Sequence, residues 1–123
     1  MNYQELDPSV EIAQTRRLLG IQPGCLLRLD KGGVVLAAND AAPALLGVES
    51  AQQALGRTFT TWLSPEVGER WDAFAARVIG GTPASFECDI VDASGVRHTT
   101  LFHGAPLIHP DGLPSMVVSA RAL

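Results

Sequence analysis

The tightest constraint in the chain is one apolar stripe, bracketed by stop signals, between residues 64 and 81. Ser64-Pro65 reads as a helix start, with the serine as cap and the proline in the first turn, where its missing N–H is harmless. At about 100° per residue, Val67, Trp71, Phe74, Ala75 and Val78 fall within an arc of about 100°. Glu66, Glu69, Arg70, Asp72 and Arg77 lie off that arc. Gly80-Gly81 ends the run, because a left-handed position after a helix favours glycine. A helix with one apolar face must lie on another apolar layer.

Strand-like runs on both sides supply that layer. Cys25-Leu26-Leu27-Arg28-Leu29 and Val34-Val35-Leu36-Ala37-Ala38 flank the turn formers Asp30-Lys31-Gly32-Gly33, which predicts a hairpin. Residues 84–91 alternate, with Phe86, Cys88 and Ile90 on one side and Ser85, Glu87 and Asp89 on the other. Asp92-Ala93-Ser94-Gly95 then turns the chain into a strand from Val96 to about Ala105, with Pro106 near its end. His109-Pro110-Asp111-Gly112 is a further turn, and Ser115 to Arg121 a last strand. Residues 40–56 hold Pro43 and breaks at Gly47, Ser50 and Gly56, so they predict short helical turns. Near the start, Asp7, Pro8 and Glu11 open a helix that runs to about Leu19 and stops at Gly20. The expected fold class is α+β: a five-stranded antiparallel sheet with helices packed on one face. The expected division is an N-terminal amphipathic helix and linker over 1–23, then one domain over 24–123.

Composition agrees with a single packed domain. The chain has 123 residues, of which 46% are hydrophobic and 18% charged, the opposite of a disordered composition. A net charge of −4 argues against a nucleic-acid partner. No apolar run reaches the roughly 18 residues of a membrane span, so no membrane contact is expected of this segment. Met1-Asn2-Tyr3-Gln4-Glu5 lacks the basic and apolar regions of a signal peptide, and Cys25 and Cys88 are isolated. Both features predict a cytoplasmic location.

This order of elements, with these residues, resembles a PAS sensory domain of a bacterial signalling protein. Asp30-Lys31-Gly32-Gly33-Val34-Val35 looks like the family's Asp-x-x-Gly hairpin. Asn39-Asp40-Ala41-Ala42 followed by Leu45-Leu46-Gly47 looks like its Asn-x-Ala and Leu-Leu-Gly helix. Leu55-Gly56-Arg57-Thr58-Phe59 is similar to its Gly-Arg-x-Phe segment, and Phe86-Glu87 and Asp111-Gly112 complete the pattern from about Gly24 to Arg121. The resemblance implies a sheet of order 2-1-5-4-3, a helix-lined cavity on one face and an N-terminal capping helix. It also implies a sensor that binds a small molecule or cofactor, or dimerises, and passes the signal to an attached effector.

Known chemistries of that family leave marks that this sequence lacks. The cysteine that attacks flavin in light-oxygen-voltage domains has no counterpart in Phe59-Thr60-Thr61-Trp62-Leu63. The proximal histidine of haem-binding members has none in residues 64–79. His98 and His103 have opposite parity on one strand, and no metal-ligand spacing links them to His109. No metal or cofactor is therefore expected; non-covalent FAD, which needs no unique residue, stays open, as does haem. Cys25 and Cys88 share parity with apolar neighbours and read as small core hydrophobes. No nucleophile elbow, phosphate loop or zinc-protease motif is present, so the chain is not expected to be an enzyme.

The candidate pocket is apolar: Leu27, Leu29, Trp71, Phe74, Val78, Ile90, Phe102 and Val118, with Asn39 as its polar member. The competing reading of the apolar set is plain core, and that of Asn39 is a side chain that pins backbone. The N-terminal helix carries Val10, Ala13 and Leu18 on one side and Ile12 and Leu19 on nearly the other. A small domain covers one such side, which points to a homodimer through the second. The primary reading is a module that binds a small apolar ligand and relays it to a histidine kinase, a cyclase or a DNA-binding regulator outside this chain. One alternative is a ligand-free homodimerisation module; a second is a non-covalent flavin or haem redox sensor.

Overall fold

The computed structural model describes residues 24–108 and 112–123. The expected N-terminal helix, with Val10, Ile12, Ala13, Leu18 and Leu19, lies outside the described residues, as do His109, Pro110 and Asp111 of the last turn. The described chain opens with β1 (Cys25–Asp30) and β2 (Val35–Ala38), followed by a short helix α1 (Ala42–Leu46). Single 3-10 turns at Ala51–Ala54, Phe59–Trp62 and Pro65–Val67 lead into the long helix α2 (Gly68–Ile79). Strands β3 (Ala84–Val91), β4 (Arg97–Ile108) and β5 (Pro114–Ala122) complete the fold. The five strands form one antiparallel sheet of order β2-β1-β5-β4-β3, the order that the resemblance implied.

Two aspartates set the β1–β2 and β3–β4 turns by the same chemistry. Asp30 Oδ1 accepts the N–H groups of Gly32 at 2.8 Å and Val34 at 2.9 Å. Asp92 Oδ1 accepts those of Ser94 at 2.8 Å and Val96 at 3.0 Å. A carboxylate that takes two turn donors replaces the partners a tight turn would otherwise leave to water. From Gly56 to Phe59 the chain then runs beside β2. Gly56 N donates to Val35 O at 2.9 Å, Val35 N to Arg57 O at 2.9 Å, and Phe59 N to Gly33 O at 2.8 Å. This segment carries Phe59 into the interior and leaves Thr60 at the surface.

The start of α2 differs from the sequence expectation. Ser64 does not cap the α-helix. Its carbonyl accepts Val67 N at 3.0 Å, a 3-10 turn forms over Pro65–Val67, and the α-helix begins at Gly68. Ser64 Oγ is buried without a hydrogen-bond partner among the described residues. The reason is tertiary: Leu63 forms an isolated bridge to Ile90, which holds Ser64 extended and turned inward at the sheet. The other end of α2 follows the expectation. Gly81 has φ of +115°, and Thr82 N reaches back to Arg77 O at 3.0 Å. Strand β4 also runs past its expected end, through Pro106 to Ile108. Strand β3 stops opposite Gly104, so from there β4 is an edge, and Pro106 withholds no ladder N–H.

The core lies between α2 and the sheet. Val67, Trp71, Phe74 and Val78 from α2 are buried against Leu27 and Leu29 of β1, Cys88 and Ile90 of β3, Phe102 of β4 and Met116 and Val118 of β5. A smaller apolar cluster, Leu26, Ala37 and Val117, is buried on the opposite face of the sheet. Helix α2 comes close to β4 because position 104 has no side chain. A Cβ there would sit 3.0 Å from Phe74 Cζ and 3.0 Å from Val78 Cγ2. We expect Gly104→Ala to destabilise the domain by about 1–3 kcal/mol through overpacking. Urea unfolding checks this: a lower midpoint at unchanged slope is expected, and an unchanged midpoint would show that α2 is free to lift.

Candidate functional site

The interior under α2 is an aromatic assembly centred on Trp71. Phe59 stacks on the indole with centroids 4.8 Å apart and planes at 28°. Phe102 meets it edge-on at 5.3 Å and 73°, and Phe74 lies at 5.3 Å. Phe86 stacks on Phe74 at 5.4 Å, and the Arg70 guanidinium stands over the Phe86 ring, 5.7 Å from its centroid. Aromatic pairs of this kind add about 0.5–1.5 kcal/mol each beyond the area they bury.

The structure brings eight of the sequence-predicted pocket residues into that one cluster. Leu27, Leu29, Trp71, Phe74, Val78, Ile90, Phe102 and Val118 are all 5% exposed or less. Asn39 stands elsewhere, at the end of β2. Its Oδ1 accepts Leu26 N at 3.0 Å and its Nδ2 donates to Gly24 O at 2.7 Å. Both groups belong to the start of β1, so the side chain ties the first strand to the chain leaving the second.

Open space lies to one side of the cluster. A cavity of about 410 Å³ runs between the turn at residues 31–33, Thr60, and the C-terminal part of α2. Trp71 forms its inner wall, with Ala75 and Ile79; Lys31 and Asp72 stand at its rim. Of the residues predicted from sequence for the pocket, Trp71 alone lines this cavity. The missed residues carried a weak signal. Asp72, Ala75, Ala76 and Ile79 recur at i, i+3, i+4 and i+7, a second strip beside the apolar stripe, with two alanines that leave room. Nothing local in the sequence brings Lys31 against that strip.

Five titratable groups elsewhere, Cys25, Cys88, Asp92, His98 and His103, are buried or hydrogen-bonded. Burial pushes the Cys25 thiol up to about 12. Burial, opposed by Arg70 and aided by Asp89, pushes the Cys88 thiol up to about 11. Neither is a poised nucleophile near neutral pH. The hydrogen bond from His98 Nε2, 2.8 Å away, holds the Asp92 carboxyl below its usual range, together with the turn N–H groups of Val96 and Ser94. His103 Nδ1 lies 2.7 Å from Ser85 Oγ on the exposed face of β3 and β4. Among the described residues, no three His, Cys, Asp or Glu side chains gather as a metal site.

Asn39→Ala would leave the Leu26 N–H without its partner in a buried strand. We expect a loss of about 1–3 kcal/mol in chemical unfolding with no ligand present. Asn39→Asp keeps the acceptor and loses the donor, so it should fall between wild type and alanine. Wild-type stability in Asn39→Ala would contradict the role of Asn39 as a tie between strands.

Comparison with known proteins agrees with this geometry. A family model described as the PAS fold matches residues 21–119. The PAS domain of an HTR-like protein from Haloarcula marismortui is similar in structure, with TM-score 0.68 and 17% identity over 90% of this chain and 96% of that one. A domain of a sensory box sensor histidine kinase/response regulator from Geobacter sulfurreducens gives TM-score 0.65 and 23% identity, covering 87% of this chain and 91% of that one. The LuxR-type receptor VqmA of Vibrio cholerae gives TM-score 0.66 and 20% identity over 90% of this chain, which spans 51% of that receptor. No curated protein matches the chain in sequence. The family match covers most of the chain and the strand order agrees with it, so the chain belongs to the PAS fold family.

Proposed function

We propose that this PAS sensory domain binds a small molecule in the cavity beside Trp71 and relays its presence to an effector joined to the same polypeptide. The observation that carries the reading is the cavity itself. Its volume of about 410 Å³ is within the usual range of small-molecule sites, and one wall is an indole backed by the aromatic core. The side chains between α2 and the sheet form one buried cluster, so a ligand seated among them would have to displace them. The cavity asks for no such rearrangement.

A ligand at this place would touch two elements at once. The turn at residues 31–33 joins β1 to β2, and α2 rests on β3, β4 and β5. Bound material that bridges them couples the hairpin to the helix, and strain reaches the sheet through β1 and its partner β5. The effector classes that fit are a histidine kinase, a cyclase or a DNA-binding regulator. The relatives support this in kind: one is a domain of a sensor histidine kinase/response regulator, another a LuxR-type receptor described as a dimer in the absence of its target DNA. The proposal includes a homodimer in solution. No helix among the described residues is long and apolar enough to cross a membrane. The signal is a diffusible molecule in this reading, with no resident flavin or haem.

A thermal-shift screen of small organic molecules tests the site. A ligand that binds only the folded state raises its melting temperature, by about 2.7 kcal/mol of added stability at a hundred times its Kd. Ala76 lines the cavity and is exposed, so Ala76→Trp fills the space without entering the core. We expect compounds that shift the wild type to leave Ala76→Trp unshifted while that variant keeps its fold. A wild type that responds to nothing, or a shift that survives in Ala76→Trp, would overturn the reading.

A further inference from the structure

We propose that the cavity selects a small zwitterion with an apolar body, of the class of an α-amino acid with an aliphatic or aromatic side chain. This inference rests on the ligand-binding reading above and names its chemistry. The two charged residues on the rim have opposite signs and stand on opposite walls. Lys31 sits in the β1–β2 turn and Asp72 on α2. Neither makes an ion pair or a side-chain hydrogen bond with any described residue, and they do not pair with each other. The neighbouring carboxylate, Asp30, turns its Oδ1 to the N–H groups of Gly32 and Val34 and makes no ion pair with Lys31.

Between the two charges the wall is apolar. Trp71 is 2% exposed, and Ala75 and Ile79 are half-buried beside it. Thr60 adds one hydroxyl that can donate or accept. A simple acid would satisfy Lys31 and be repelled by Asp72. A simple amine would do the reverse. A neutral apolar molecule would leave both charges idle while it shed water from the wall. A zwitterion places its carboxylate toward Lys31, its ammonium toward Asp72 and its side chain on the indole. The opposed charges thus act as a filter on both signs at once, which is a device for specificity as much as for affinity.

The test uses isothermal titration of the full chain at low salt. The probes are L-leucine, L-phenylalanine, L-leucinamide, N-acetyl-L-leucine and L-leucyl-L-leucine. We expect a free amino acid to bind and each blocked derivative to bind at least about tenfold more weakly, as loss of one charge-assisted hydrogen bond implies. Lys31→Met should bring leucine down to the level of leucinamide. Asp72→Asn should bring it down to the level of N-acetyl-leucine. Binding of the dipeptide in place of the free amino acids would keep the zwitterion and enlarge the ligand. Blocked derivatives that bind as well as leucine, no binding of any zwitterion, or a preference unchanged in both variants would overturn the assignment. Uncharged compounds that bind and are excluded by Ala76→Trp would then leave the ligand site standing without its zwitterion. Silence from every compound would remove both.

Discussion

The indole of Trp71 is the contact on which the rest of this domain depends. It lies between Phe59, brought in by the segment beside β2, and Phe102 of β4, so it joins the irregular middle of the chain to the sheet. Remove it and α2 loses its central anchor, while Phe59 and Phe102 lose their common neighbour. The close approach at Gly104 follows from the same constraint. Phe74, one turn further along α2, reaches β4 only because the strand offers bare backbone there. Trp71 thus seals the core and also borders open space.

That dual position separates two things the sequence could not separate. The apolar stripe from Val67 to Val78 was legible because helical period is a local property, and four of its five members are buried. Strand parity was legible for the same reason: Phe86, Cys88 and Ile90 face the helix as alternation requires. The turn aspartates Asp30 and Asp92 announced themselves by the glycine three residues on. Cap geometry at Ser64 was not legible, because the pull of the Leu63–Ile90 bridge comes from a residue 26 positions beyond Ser64. The extension of β4 through Pro106 depends on where its neighbour ends, again a non-local fact. The cavity is the strongest case. An apolar residue list describes equally a packed core and a pocket wall, and the difference rests on whether neighbours fill the space. In this domain the eight residues are buried together in one cluster, and an open cavity borders Trp71.

The proposed function rests on how the cavity is built. Its walls come from a tight turn held by a carboxylate and from a helix held by stacked rings. The space between them is bordered by Lys31 and Asp72, charges without a partner among the described residues. Walls held in place by such contacts would limit the entropy lost in the proposed binding, and the two charges would offer a ligand something to recognise. The strand that leads into the turn, β1, pairs along its whole length with β5, the last strand of the sheet in chain order. A force applied at the turn therefore has a short, hydrogen-bonded route to the end of the domain.

Trp71 sits in the closed core and also borders the cavity. Urea unfolding of Trp71→Ala, followed by circular dichroism, measures this directly. A buried indole among close-packed rings should cost about 3–5 kcal/mol on truncation, the usual range for a large core aromatic. A loss below about 1 kcal/mol, far under that range, would mean that the interior relaxes around an already open pocket, and would contradict a closed core.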